Sequence, residues 1–150
     1  MSRHRDRWIG AREIADIRRL QLQQAVGDAA RSRAALDAGR ERLRLAEADH
    51  DAQLQAWRAA LAGPTLPLAL LANGRAALVP ARARCEAAAR EVESRTEALD
   101  TARQRLRQRD RLAEAAQDLA SHEAARHRRM LDEQRMSELE IRLALHGDAS

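Results

Sequence analysis

Gly63-Pro64-Thr65-Leu66-Pro67 interrupts a chain that otherwise holds little to stop a helix. Proline removes a backbone donor and glycine frees φ, so this cluster, the densest of its kind in the 150 residues, marks a turn. Upstream, from Ala11 to Ala62, there is no proline, and Gly27 and Gly39 each cost about 1 kcal/mol against alanine. Downstream, from Ala81 to Leu145, there is neither proline nor glycine. Asn73-Gly74 and Pro80 extend the break, with the apolar Leu66, Leu68, Leu70, Leu71, Leu78 and Val79 between them. The spacing predicts helix 1 over 11–62, a turn region over 63–79 with room for a short helix at 67–72, and helix 2 over 80–145. Pro80 suits the first position of that second helix, where its missing N–H has no partner to lose.

Both long segments carry a heptad seam. Steps of seven from Leu22 give Leu22, Ala29, Leu36, Leu43, His50 and Trp57, with companions Ala25, Ser32, Gly39, Ala46, Gln53 and Ala60. In the second segment the seam runs Cys85, Val92, Leu99, Leu106, then Leu112 or Ala113, Leu119 or Ala120, and His127, with Ala88, Ala102, Ala116 and Met130. Glu86 with Arg90 and Glu91 with Arg95 have the favourable acid-first order for pairs four apart. Neither helix buries enough alone to be stable in water. One short breaker zone between them predicts antiparallel pairing, an all-α coiled-coil hairpin forming a single domain over 1–150. Helix 2 outruns helix 1 at the open end, where unpaired helix is expected. His146-Gly147 reads as the cap that ends it.

Composition agrees. The aromatic share is 1%, Trp8 and Trp57 only, while alanine, with 34 residues, far outnumbers leucine. Such a chain lacks the side-chain volume for a thick globular core but favours close helix contact. Net charge is +4 and every basic residue is arginine, which fits the codon usage of a GC-rich genome. Spread over a long helical pair, that charge is a weak field and does not demand nucleic acid. Cys85 is the only cysteine, so no internal disulfide is available, and no apolar run reaches the length of a membrane span. The basic start, Met1 to Arg7, has no apolar stretch behind it and is not read as a signal peptide. The expectation is a cytoplasmic protein that meets a membrane only through partners.

Catalytic motifs are missing: no phosphate loop, no GxGxxG, GxSxG or HExxH. Glu123 and His127 share a helix face, with His122 near, but a zinc site needs a third ligand; exposed polar residues are the plainer reading. Cys85 falls in the seam and reads as a small core residue rather than a reactive thiol. Arg103, Arg107 and Arg111 stack on one side of helix 2, with Arg105 and Arg109 on another; they form a solvated face or a basic docking belt for an acidic partner. Trp57, near Leu54, Leu61 and the turn leucines, either plugs the end of the coil or stands out as an anchor. The turn holds enough leucine to close the coil without it, which favours the anchor.

Arg128-Arg129-Met130 followed by Leu131-Asp132-Glu133-Gln134-Arg135-Met136-Ser137-Glu138-Leu139 resembles the C-terminal stretch of FliJ-type proteins. There an Arg/Lys-rich helix carries a similar Leu-Asp-Gln/Glu-Lys/Arg-Met-Asp/Glu-Glu-Phe/Leu run. Length, hairpin pattern and the apolar turn are also similar to that family and to its injectisome relative, the YscO type. The resemblance implies a stalk of type III export, flagellar or virulence, with no cofactor. Its open end would sit in a hexameric export ATPase, through Ile14, Ile17 and Arg18 beside Leu131, Arg135 and Glu138. The segment His50, Gln53, Trp57 and Leu61 would meet an export-gate protein or an unloaded secretion chaperone. The family often shows aromatics there, and this chain has only Trp57.

Three functions follow in order. The first is that non-enzymatic stalk, acting by shape and two binding ends. The second is a generic coiled-coil adaptor or secretion chaperone. The third, a nucleic-acid-binding rod using Arg3, Arg5, Arg7 and the belt, lacks stacking aromatics and a strong basic excess.

Overall fold

The computed structural model describes residues 2–65 and 68–149, so Leu66 and Pro67, part of the expected short helix and apolar turn, lie outside the described residues. Helix accounts for 97% of the structure, without strands among the described residues. Two helices, α1 (Ser2–Ala62) and α2 (Leu68–Gly147), pack against each other as an all-α hairpin. Cross-helix contacts fix the antiparallel sense: Arg19 meets Gln117, while Arg42 meets Glu91 and Asp49 meets Arg84.

Internal contacts divide the chain into two units, residues 1–25 with 105–150 and residues 26–104. In the first, Ala11, Ala15, Ala116 and Ala120 form a buried cluster. In the second, Leu36 is the largest fully buried side chain, at 2% exposure, and Leu99, Ala102 and Ala81 are buried with it. Gly39 lies against α2, where a Cβ would come 3.8 Å from Val92 Cγ2 and 3.9 Å from Arg95 Cγ. The core is thus a thin line of mostly alanine. Burial at about 25 cal/mol per Å² makes each such contact small, so stability is spread along the seam.

Every seam residue named for α1, from Leu22 to Trp57 and from Ala25 to Ala60, is buried or half-buried. On α2 the same holds from Cys85 to His127, and the choice at 119/120 falls on Ala120, with Leu119 exposed. Continuing the companion series by sevens lands on Arg95, Arg109 and Glu123, and the structure places the last two half-buried in the seam. Of the expected intrahelical pairs, Glu91–Arg95 is present at 3.7 Å, while Glu86 pairs backward with Arg82 at 3.2 Å.

The boundaries differ from the sequence reading. α1 starts at Ser2, nine residues before 11, because His4, Trp8, Ala11 and Ala15 repeat with the seam's spacing and pack inward. There is no turn over 68–79: α2 begins at Leu68 and carries Pro80 in its interior. An interior proline costs about 3 kcal/mol by removing one N–H bond and crowding the preceding turn. What opposes that cost is the last stretch of α1, from His50 to Ala60, which would otherwise have nothing to cover its inward side. Gly74 serves contact, not a turn: a Cβ there would overlap Cδ1 of Trp57. At the other end α2 stops at Gly147 without a positive φ, so the left-handed cap is not formed; the Asp148 N–H donates to the Ala144 carbonyl at 3.2 Å instead.

Candidate functional site

The first unit holds the open end. There the Trp8 indole stacks on the His127 imidazole, ring centres 5.2 Å apart and planes 8° from parallel. One turn earlier on α2, Glu123 holds Arg126 at 3.6 Å, but its Oε2 is buried without a hydrogen-bond partner, as is His4 Nδ1. Deeper in the unit comes a polar layer. Arg18 and Arg109 both donate to Oε1 of Gln21 at 3.1 Å, and Arg19 donates to Gln117 at 3.3 Å. Arginine suits this place because its aliphatic stem packs on alanine while the guanidinium reaches an amide.

Beyond Met130 only Gln134 is half-buried among the described residues. Every described residue from Arg135 to the end is exposed, among them Met136, Leu139, Ile141, Leu143 and Leu145, with Leu143 at 73%. Arg135 pairs with Asp132 of its own helix, at 4.0 Å. A shallow groove of about 510 Å³ lies on this segment, lined by Met130, Glu133, Gln134, Ser137, Glu138 and Ile141.

These positions separate the six residues expected to act together. Leu131, Arg135 and Glu138 lie at the free end of α2. Arg19 meets Gln117, so Ile14, Ile17 and Arg18 stand level with the Ala116–Ala120 turn, about fourteen residues or roughly 20 Å along α2 from Leu131. The earlier start of α1 causes the shift, since nine more residues pair before α2 runs free. Ile14 and Ile17 are exposed, with Ile9 and Leu20 also exposed. Arg18 is half-buried in the Gln21 layer and belongs to the packing.

In the second unit, His50, Gln53 and Trp57 face α2 from the seam and Leu61 is exposed. Trp57 is half-buried against Gly74, with its indole Nε1 buried and unpartnered. It forms one wall of a cleft of about 240 Å³ with Ala56, Leu70, Asn73 and Ala77. The free-standing anchor is therefore replaced by an indole seated on α2 with one face on a cleft. Sequence reasoning missed Gly74 as its partner because Asn-Gly is also the strongest turn dipeptide.

Arg103 lies in the second unit and Arg107 and Arg111 in the first; each is exposed and none makes an ion pair among the described residues. Arg109, expected on the belt's other side, turns into the seam. Cys85 is half-buried, and desolvation, then Glu47, Asp51 and Asp49, pushes its thiol above the usual range, away from the reactive thiolate. Among the described residues no three His, Cys, Asp or Glu side chains gather as metal ligands, and no helix is long and apolar enough to cross a membrane. No family model matches the chain, and no curated protein or solved structure compared with it is similar.

Proposed function

We propose that the chain is the non-catalytic stalk of a type III export apparatus, in the manner of FliJ- and YscO-type proteins. The free end of α2 binds the hexameric export ATPase. The Trp57 cleft receives an export-gate protein or a secretion chaperone, and these partners hold the stalk at the cytoplasmic face of the membrane. The observation that carries this reading is the last four turns of α2, continuous helix with Leu131, Met136, Leu139 and Ile141 exposed. Exposed apolar side chains of that density mark partner sites. The role asks no chemistry of the hairpin.

The test uses a purified hexameric type III export ATPase from the same organism. Purified wild-type protein should bind it and raise its hydrolysis rate. Arg135→Glu with Leu139→Asp should lose both while helicity is unchanged, because exposed substitutions cost within about 0.5 kcal/mol of stability. An ATPase that ignores the wild-type protein overturns the reading. The second reading, a coiled-coil adaptor or secretion chaperone, draws on the Trp57 cleft alone.

A further inference from the structure

The charge pattern of α2 says what kind of helix should cover its free end. Residues 131–149 hold five acids, Asp132, Glu133, Glu138, Glu140 and Asp148, against Arg135 and Arg142, in a chain of net charge +4. Stepping by sevens along the seam, Glu133 and Glu140 occupy the same flanking position as Arg84 and Glu91. At that position the hairpin uses one solution twice. Arg42 of α1 forks onto Glu91, at 2.5 and 3.3 Å, and Asp49 of α1 receives Arg84 at 3.3 Å. Both pairs sit at matching flank positions of antiparallel helices, with opposite charges facing. Further along, the same position holds Ala98, Arg105, Leu112, Leu119 and Arg126, without a cross-helix ion pair among the described residues, before the acids return. Glu133 and Glu140 are exposed, and neither they nor Glu138 has a cation from any described residue. Between the acidic rims lies the groove floored by Met130 and Ile141.

Resting on the partner-binding reading of this end, we infer that the free segment of α2 seats an antiparallel amphipathic helix of another protein. That helix carries an apolar seam and two basic residues seven apart that face Glu133 and Glu140. It repeats at Glu133 and Glu140 the pairing that α1 gives Glu91 and Arg84. A second copy is the wrong occupant, because its own Glu133 and Glu140 would meet these same glutamates, and like charges at facing flanks repel.

The test titrates the full chain with two synthetic helical peptides, each of three heptads with leucine in the seam. One has lysine and the other glutamate at the flank. The lysine peptide should bind about tenfold or more tighter at roughly 50 mM salt, and the gap should shrink at about 500 mM. Glu133→Lys with Glu140→Lys should invert the preference by a similar factor, and Ile141→Asp should abolish binding of both. Equal binding of the two peptides, or a preference that survives the double reversal, overturns the inference. So does a concentration-dependent dimer abolished by Ile141→Asp, which would assign the groove to a second copy. The two readings fail separately. Peptide discrimination without ATPase binding sinks the stalk and leaves this inference standing. ATPase binding that tolerates the double reversal does the opposite.

Discussion

Gly74 sits inside a helix, where alanine normally adds about 1 kcal/mol. Here the added methyl would overlap the Trp57 indole, so Gly74→Ala should instead lower stability by about 1 kcal/mol, the scale of mild overpacking. In a Trp57→Ala background the clash is gone and the same substitution should turn stabilising. Melting of the four proteins in a double-mutant cycle reads this directly, and additive effects would mean the indole does not rest on residue 74. Glu91 gives a second residue-scale outcome. The Arg42 guanidinium, hydrogen-bonded to it, holds its carboxyl below the ordinary value of 4.5. A carboxyl depressed on folding stabilises fully above its unfolded value and loses that contribution as pH falls through the folded one. Wild type should therefore lose more stability between pH 7 and about pH 3 than Glu91→Gln does, by thermal melts at both. A difference independent of pH would show that the contact carries no charge.

Pro80 decides between two versions of α2. If it opened the helix, alanine in its place would be neutral or slightly worse, since proline is preformed for that position. With α2 running from Leu68, Pro80→Ala restores a helix bond and should raise stability by about 2 kcal/mol, less than the full cost of an interior proline because the unfolded chain also gains freedom. An unchanged melting midpoint would place the helix start back at residue 80. The seam itself was legible, because a repeat of seven survives any reading of the ends: Leu36, Leu99, Ala102 and Ala116 are buried where the count puts them. The ends were not, since local rules for proline and Asn-Gly point to a turn while the need of Trp57 for a facing helix, a long-range demand, overrides them. The start of α1 was legible but unread; His4, Trp8, Ala11 and Ala15 have helical spacing, hidden under Arg3, Arg5 and Arg7. The same element view sets the behaviour of the free end of α2. Unsupported helices of four turns are marginal in water. Amides over 135–147 should exchange with solvent far faster than those over 99–120, and a bound partner should protect them; equal protection in the free protein would mean the segment is already covered.

For the molecule as a whole, the hairpin was legible and its sites only in part. Exposed Leu131, Arg135 and Glu138 could be picked out along α2, yet Arg18 could not be told from them. Whether an arginine faces solvent or a glutamine on the next helix depends on register, and register depends on helix ends. Register also offers a way to separate the stalk from the adaptor or chaperone. A stalk works as a closed hairpin, presenting surfaces that are already exposed. A chaperone of the kind that captures clients on its own apolar seam must open. Gly39 and Val92 face each other across the seam, a Cβ at 39 lying 3.8 Å from Val92 Cγ2. Cysteines at both positions, in a Cys85→Ser background, should oxidise to an intramolecular cross-link that migrates faster than the reduced chain. Failure to link within the monomer would contradict the antiparallel pairing. Once linked, the second unit cannot part its helices at that level, while residues 131–149 and the Trp57 cleft are untouched. ATPase binding and stimulation should then stay within about twofold of the reduced protein and return to the same value on reduction, since a twofold change is only about 0.4 kcal/mol. A loss of binding of tenfold or more, reversed by reductant, would mean that the protein functions by opening its seam, and the stalk would give way to the chaperone.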